Sequence, residues 1–295
     1  MINCKRQLRE KLAGFERVVV WGVGGCGSMA MASWLPKEKV EYVVDVNPSQ
    51  LEGSTFFGKE VFSPEHILKT RPDCIVVCSG AFMEILEELS SMGYSGEAFY
   101  VYEAFLPPIR ELSQLEMLYV DIAIVKGEGW RALLRERPQI LVNVTLRVTK
   151  HLRQYKILYP LYLVARFFHG VISIYFGIQF SSDIDAGPGL QFGHIGSIVV
   201  HERTKLGNFC TLFQNTTLGQ NDNSEIPILG DFVTVYTGAI VLGASVIGSY
   251  TRIGAQSLLL DFKCSGKCTI GGQPAKILYS FDKTGVGTKE SQAAS

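Results

Sequence analysis

The stretch Leu229 to Leu260, LGDFVTVYTGAIVLGASVIGSYTRIGAQSLLL, returns an aliphatic residue at every sixth position: Leu229, Val235, Val241, Ile247, Ile253 and Leu259. Four places after each of the first five stands a smaller residue, in turn Val233, Ala239, Ser245, Thr251 and Ser257. A period of six fits neither the 3.6 of a helix nor the alternation of a strand. It predicts short strand-and-turn units stacked into a parallel β-solenoid, each inward aliphatic resting on its counterpart in the coil below. An earlier frame of the same period holds Val200, Leu206, Leu212 and Leu218, with Thr204, Cys210 and Thr216 as small partners. The register therefore survives an irregular stretch at Gln220 to Ile228, and a third frame holds Phe180, Ala186 and Phe192. A β-sandwich with chance spacing is the competing reading, and three aligned frames argue against it.

These residues resemble the hexapeptide-repeat acyltransferases. That resemblance implies a left-handed parallel β-helix, whereas the general rule for parallel crossovers gives right-handed ones.

The chain of 295 residues is long enough for two domains with cores of their own. Its 28 basic and 28 acidic residues cancel, so nothing in the charge calls for a nucleic-acid partner. Seven cysteines, none in a C-x-x-C pair, argue for reduced thiols, a cytoplasmic location and no metal site. Met1 to Gly14 has no apolar signal core. The most apolar stretch, Ile157 to Phe180, carries Pro160, Arg166, His169 and several tyrosines, which argues against a spanning helix and against membrane contact.

The amino-terminal part reads as an α/β front domain, Rossmann-like with a parallel sheet. A strand over Arg17 to Trp21 runs into Gly22-Val23-Gly24-Gly25-Cys26-Gly27, and a helix follows to about Leu35. A second strand, Val40 to Val44, ends in Asp45, and another lies at Cys74 to Cys78. This is a Gly-x-Gly-x-x-Gly in strand-turn-helix context, with an acid placed to hold a ribose hydroxyl. Gly22, Gly24, Gly27 and Asp45 are thus candidates for a nucleotide or nucleotide-sugar; the alternative is a tight turn in an α/β domain without a ligand. About four strands before Leu112 are too few for a dehydrogenase. Arg17 to Ser79 also resembles the nucleotide-sugar-binding front domain of some sugar acyltransferases.

Past Pro107-Pro108, Trp130 to Glu136 and Leu141 to Phe176 mix apolar and basic residues at helical spacing, broken by Pro138 and Pro160. This connector resembles the helical lead-in of serine acetyltransferases, and its expected role is to cap the first coil. The domains expected are 1–112 (nucleotide or nucleotide-sugar binding), 113–176 (helical connector), 177–280 (β-helix acyltransferase) and 281–295 (flexible tail).

Gly187-Pro188-Gly189-Leu190-Gln191-Phe192-Gly193-His194-Ile195-Gly196-Ser197-Ile198-Val199-Val200 resembles the serine acetyltransferase branch of the hexapeptide family. The resemblance makes His194 the catalytic base, an imidazole that deprotonates the acceptor hydroxyl and returns a proton to the departing thiol. It assigns Ala255, Gly272, Pro274, Ala275 and Lys276 to the coenzyme A channel, with acetyl-CoA as co-substrate. It also implies a homotrimer with sites between subunits.

The chain departs from that pattern where an amino acid would be held. Gln179 and Gly193 stand where the family carries Asp, and Ile226 stands where it has a His before Pro227. Gln179, Gly193, Gly196, Asp222 and Glu225 are the candidate acceptor contacts, and Glu225, Asp222 or Glu202 the candidate partners of His194. A site for a small zwitterion without its charge pairs loses several kcal/mol. The Gly-His-x-Gly-x-Ile-Val-Val form of Gly193 to Val200 also resembles serine-acetyltransferase-like proteins of surface-polysaccharide pathways. That resemblance implies an O-acetyltransferase of a sugar hydroxyl in surface-polysaccharide or glycan-precursor synthesis. Serine O-acetyltransferase, and a non-catalytic nucleotide-sensing scaffold, are the alternatives.

Overall fold

The computed structural model describes residues 4–46, 54–79, 81–105, 112–125, 137–222, 225–281 and 287–288. The expected helix at Trp130 to Glu136, the Pro107-Pro108 junction and most of the 281–295 tail lie outside them. The chain divides into two compact units, one built mainly from 1–111 and one mainly from 112–125 and 129–282. The helical lead-in therefore belongs with the solenoid.

The first unit opens with helix α1 (Cys4–Lys11), then β1 (Val18–Trp21), α2 (Gly25–Met29), β2 (Val40–Val44), β3 (Thr55–Phe56), β4 (Lys59–Phe62), α3 (His66–Thr70), β5 (Cys74–Val77), α4 (Phe82–Ser91) and β6 (Glu97–Tyr100). A π-helical turn, Ala30–Trp34, extends α2. The sheet order is β3-β4-β2-β1-β5-β6, with every pair parallel except β3 with β4. Central strands β1 and β5 read VVVW and CIVV and are buried at every position, as expected of a parallel sheet covered on both faces. Six strands replace the four read from the sequence. Those without a residue range in the sequence reading are β3, which is two residues long, and β4 and β6, which begin with charged residues; all three are at most part-buried, so none shows an apolar run.

The second unit starts with α5 (Gln114–Val125), α6 (Ile140–Arg153) and α7 (Tyr159–Tyr175), the last preceded by a 3-10 turn at Lys156–Leu158. Five coils follow. They are β7 (Ile178–Phe180), β8 (Asp185–Ala186) and β9 (Gln191–Phe192); β10 (Ile198–Val200), β11 (Lys205–Leu206) and β12 (Thr211–Leu212); β13 (Thr217–Gly219), β14 (Ile228–Leu229) and β15 (Thr234–Val235); β16 (Ile240–Leu242), β17 (Val246–Ile247) and β18 (Arg252–Ile253); β19 (Leu258–Leu260), β20 (Lys263–Cys264) and β21 (Cys268–Gly271). An antiparallel pair, β22 (Lys276–Phe281) and β23 (Gly287–Thr288), closes the end. Each coil gives one strand to each of three parallel sheets, β7-β10-β13-β16-β19, β8-β11-β14-β17-β20 and β9-β12-β15-β18-β21. This architecture is consistent with the left-handed β-helix.

The repeat maps onto the core without exception. Leu229, Val235, Val241, Ile247, Ile253 and Leu259 are all buried, and so are Val233, Ala239, Ser245, Thr251 and Ser257. Side chains of this size contribute about 1.5–3 kcal/mol each when removed from water. The small residues have a second task at the corners. The hydroxyls of Thr216, Ser245, Thr251 and Ser257 each donate to the carbonyl three residues earlier, which satisfies a polar atom that would otherwise be buried unpaired.

The open end of the solenoid is capped by one face of α6 and the residue before it. Gln139 Nε2 donates to the Phe192 carbonyl (3.1 Å) and Asn143 Nδ2 to that of Leu190 (2.8 Å). Arg147 Nη1 donates to Ala186 (2.8 Å), its Nη2 to Gly187 (2.6 Å), and Lys150 Nζ to Ile184. Positions 139, 143, 147 and 150 fall on one side of a helix, and they supply the donors that the first coil lacks. Arg147 Nε also pairs with Asp121 of α5 at 2.9 Å, both side chains fully buried, and Asp121 Oδ1 accepts the Gly189 N–H at 2.6 Å.

Candidate functional site

Register partners are 18 residues apart in the regular coils, as for Ile240 and Leu258. They are 20 apart across the corner between β9 and β10, as for Ile178 and Ile198. They are 23 apart across the turn between β13 and β14, as for Lys205 and Ile228. They are 17 apart after the short turn between β19 and β20, as for Val246 and Lys263. The two longer departures from the hexapeptide rule carry candidate site residues: His194 lies in the first, and Asp222 and Glu225 in the second.

His194 is exposed at its corner, with its ring 5.8 Å from that of Phe213 in the coil above. Phe213 stacks in turn on Tyr236, at 5.2 Å and 20°. The neighbouring Gly193 carbonyl is held by Arg137 Nη1 (3.4 Å) and Gln139 Nε2 (3.5 Å). Gly193 itself has no room for a side chain, because a Cβ there would lie 2.6 Å from the Phe213 ring. Gly196, at φ +132°, lets the chain turn back into β10.

Strand register carries this corner up the solenoid. Phe192 pairs with Leu212, Leu212 with Val235, Val235 with Ile253 and Ile253 with Ile270. Two residues beyond each stand His194, Gln214, Thr237, Ala255 and Gly272, one column along one edge. At the usual strand spacing of about 4.8 Å, Ala255 is roughly 14 Å and Gly272 roughly 19 Å from His194. Gly272, Gln273 and Pro274 form the exposed turn after β21; Ala275 donates its N–H to the Leu258 carbonyl at 2.9 Å, and exposed Lys276 opens β22. Of the residues expected to line the coenzyme channel, Ala255 and Gly272 share this column with His194, and Pro274, Ala275 and Lys276 follow its last member in the chain.

It does not bring the carboxylates to His194. Glu202, Asp222 and Glu225 all belong to the turns that leave β10 and β13 for the next sheet, at a different corner of the coil. Among the described residues none of the three stands at the His194 corner in this chain, contrary to the pairing considered from the sequence. Gln179 lies on β7 opposite Val199 and lines an open groove of about 810 Å³ with Ser197, His201, Glu202 and Ser173. His201 is fixed there by accepting the Arg203 N–H on Nδ1 at 3.2 Å. His169 is buried, within 2.8 Å of the Phe180 carbonyl and 2.9 Å of the Thr145 hydroxyl, and burial lowers its pKa.

In the first unit the glycine loop joins β1 to α2. Gly27 is obligatory there, since a Cβ would sit 1.9 Å from the Gly22 carbonyl oxygen. Gly24 caps α2 with extended backbone. Asp45, at the end of β2, accepts the Val23 N–H on Oδ2 at 3.0 Å, so it braces the loop itself. Behind the loop, Cys26 Sγ lies 3.5 Å from the Tyr102 hydroxyl. A hydrogen bond from the buried Cys78 thiol lowers the Cys26 pKa. No group of three or more His, Cys, Asp or Glu among the described residues is arranged to hold a metal ion.

A parallel β-helix with a histidine in its widened corner and a Gly-Gly-x-Pro-Ala-Lys turn on the same edge defines a hexapeptide-repeat acyltransferase fold. Residues 14–99 match the family model described as C2185-like, N-terminal. The chain is 31% identical over 119 residues to the serine acetyltransferase of Helicobacter pylori strain J99, spanning 39% of this chain and 70% of that protein. It is 32% identical over 106 residues to the serine acetyltransferase of Synechococcus elongatus, spanning 35% of this chain and 43% of that protein. A solved serine acetyltransferase in complex with CoA shares 24% identity, with a TM-score of 0.48 over 67% of this chain and 83% of that one. The chain belongs to the serine acetyltransferase family.

The sequence reading missed the donors Gln139, Asn143 and Arg147 and the Phe213–Tyr236 stack. The first had a signal in polar residues four apart; the second had none, because aromatic residues one coil apart stand 23 positions apart in the chain.

Proposed function

We propose that this protein transfers the acetyl group of acetyl-CoA to the hydroxyl of L-serine, with His194 as general base. The His194 nitrogen takes the hydroxyl proton as the oxygen attacks the thioester carbonyl. The tetrahedral intermediate then collapses, and the departing thiolate of coenzyme A takes that proton from the imidazolium. The observation that carries this reading is the single column from His194 to Ala255 and Gly272, an edge along which an extended thioester arm fits. Ala275 and Lys276 belong to the far end of the same channel, Lys276 near the phosphates. Family membership favours serine over the sugar hydroxyl expected from the sequence.

The site is completed by a second copy of the chain in a trimer. His194 sits where the first coil passes into the second, and the turn bearing Asp222 and Glu225 leaves a different corner in the third coil; in the trimer a neighbour's turn is the one that meets the histidine. Gln179, Gly193 and Gly196 belong to the acceptor side. The front domain takes a nucleotide or nucleotide-sugar at Gly22, Gly24 and Gly27, with Asp45 bracing the loop. Reduced thiols fit a cytoplasmic protein.

A sugar hydroxyl is the second reading, and the Phe213–Tyr236 stack favours it. Those rings offer an apolar face beside His194, while Gly193 and Gln179 offer no charge for an α-amino group. Release of coenzyme A thiol from acetyl-CoA, with L-serine in one arm and nucleotide-sugars in another, separates the two. Turnover with serine alone supports the first reading, turnover with a sugar alone supports the second, and silence in both arms overturns acetyl transfer to a soluble acceptor.

A further inference from the structure

The 20-residue helical segment Lys156–Tyr175 is long and apolar enough to cross a membrane. It is nonetheless tied to the solenoid along one side. Tyr162, His169 and Ser173 are buried, and His169 reaches the Phe180 carbonyl and Thr145. A spanning arrangement would carry those polar partners and the first coil into hydrocarbon. The rest of the surface is bare: Ile157 is 89% exposed, Phe167 67% and Ile174 82%, with Leu161, Leu163, Val164, Phe168 and Val171 exposed between them. Together they present on the order of 1,000 Å² of apolar side chain, where the largest patch on a soluble monomer is roughly 300–600 Å².

Charge and residue order say what covers it. From Pro138 to Ser182 the chain has no Asp or Glu and five Lys or Arg. Arg147 is consumed by Asp121, Lys150 by the Ile184 carbonyl and Arg153 by Asp183. Lys156 and Arg166 remain exposed beside the apolar face, and Arg166 donates to the Tyr162 hydroxyl at 3.2 Å. Tyr155 and Tyr159 stand at one end and Tyr175 at the other, exposed, with aliphatic and Phe side chains between. Tyrosines at the ends and cations at the rim suit a headgroup layer, where a ring or an alkyl stem is buried and its polar tip stays wet. A second copy would set this acid-free, basic segment against itself, like charge on like.

We infer that α7 and its leading turn lie in the plane of an anionic lipid bilayer, exposed face down, and hold the protein at the membrane surface. The objection that Pro160, Arg166 and His169 raise to a spanning helix does not apply: His169 faces the solenoid, Arg166 sits at the rim and Pro160 occupies the first turn.

The test is co-sedimentation of the full chain with vesicles of phosphatidylcholine alone or mixed equally with phosphatidylglycerol. Sedimentation with the mixed vesicles is expected, weakened by half-molar salt. Val164→Ser/Phe167→Ser/Phe168→Ser, and separately Lys156→Glu/Arg166→Glu, should each lower partitioning at least tenfold. Circular dichroism and coenzyme A release should stay unchanged, since none of these residues belongs to the site. Equal binding to neutral vesicles overturns the anionic assignment. Absence of binding, or undiminished binding of the triple variant, overturns the inference outright. A mass by light scattering that falls in the triple variant, without lipid binding by the wild type, would give the face to a second copy.

Discussion

Replacing Asp121 by Ala removes one side chain and unsettles the first coil of the solenoid. Arg147 would keep its bonds to the Ala186 and Gly187 carbonyls but lose the carboxylate paired with it in a fully buried position, and the Gly189 N–H would lose its acceptor. Breaking a buried pair on one side costs about 3–5 kcal/mol, because the remaining charge stays desolvated and unpaired. Against a total stability of about 5–15 kcal/mol, that is a large loss. Urea unfolding of the variant should show it as a lowered midpoint with an unchanged slope. Hydrogen exchange should quicken first in 184–193, the strip that α6 grips, while the coils at 229–260 stay protected. The double change Asp121→Leu/Arg147→Met should cost less than the sum of its parts, since neither charge is then stranded; about 1–3 kcal/mol remains for each carbonyl left without a donor. A loss below about 1 kcal/mol in Asp121→Ala, or uniform loss of protection along the solenoid, would refute the capping argument.

Two further outcomes follow from the same geometry. Gly193→Ala should cost about 1–3 kcal/mol in wild-type protein through overpacking against Phe213, and little in a Phe213→Ala background; equal costs in both backgrounds would show that the ring is not the obstacle. Burial lowers the His169 pKa from its ordinary 6.5. Its neutral form therefore contributes stability that is complete above pH 6.5 and is lost as the pH falls from there through the folded-state value. Thermal unfolding between pH 8 and 5 should show this decline, and His169→Gln should flatten it; an identical slope in the variant would assign the decline elsewhere.

The solenoid was legible because its period belongs to no other structure: each of the six aliphatics from Leu229 to Leu259 is in the core. The glycine loop was legible for a similar reason, since Gly27 admits nothing larger. The cap was half legible. Its position before the first coil could be read, but which side chains meet that coil's carbonyls, Gln139, Asn143 and Arg147, depends on where the helix lies against it. Sequence also hides corners. Glu202 is eight positions from His194, close enough to suggest a partner, yet β10 carries it to another edge. The apolar run at Ile157 to Tyr175 misleads in the opposite sense, because hydrophobicity alone does not distinguish a buried helix from an exposed one.

The rate of coenzyme A thiol release should fall at least about a hundredfold in His194→Ala, the usual scale for a positioned general base, while the urea midpoint stays that of the wild type. An unchanged rate in the folded variant would remove His194 from the chemistry and contradict the reading of this corner as the active site.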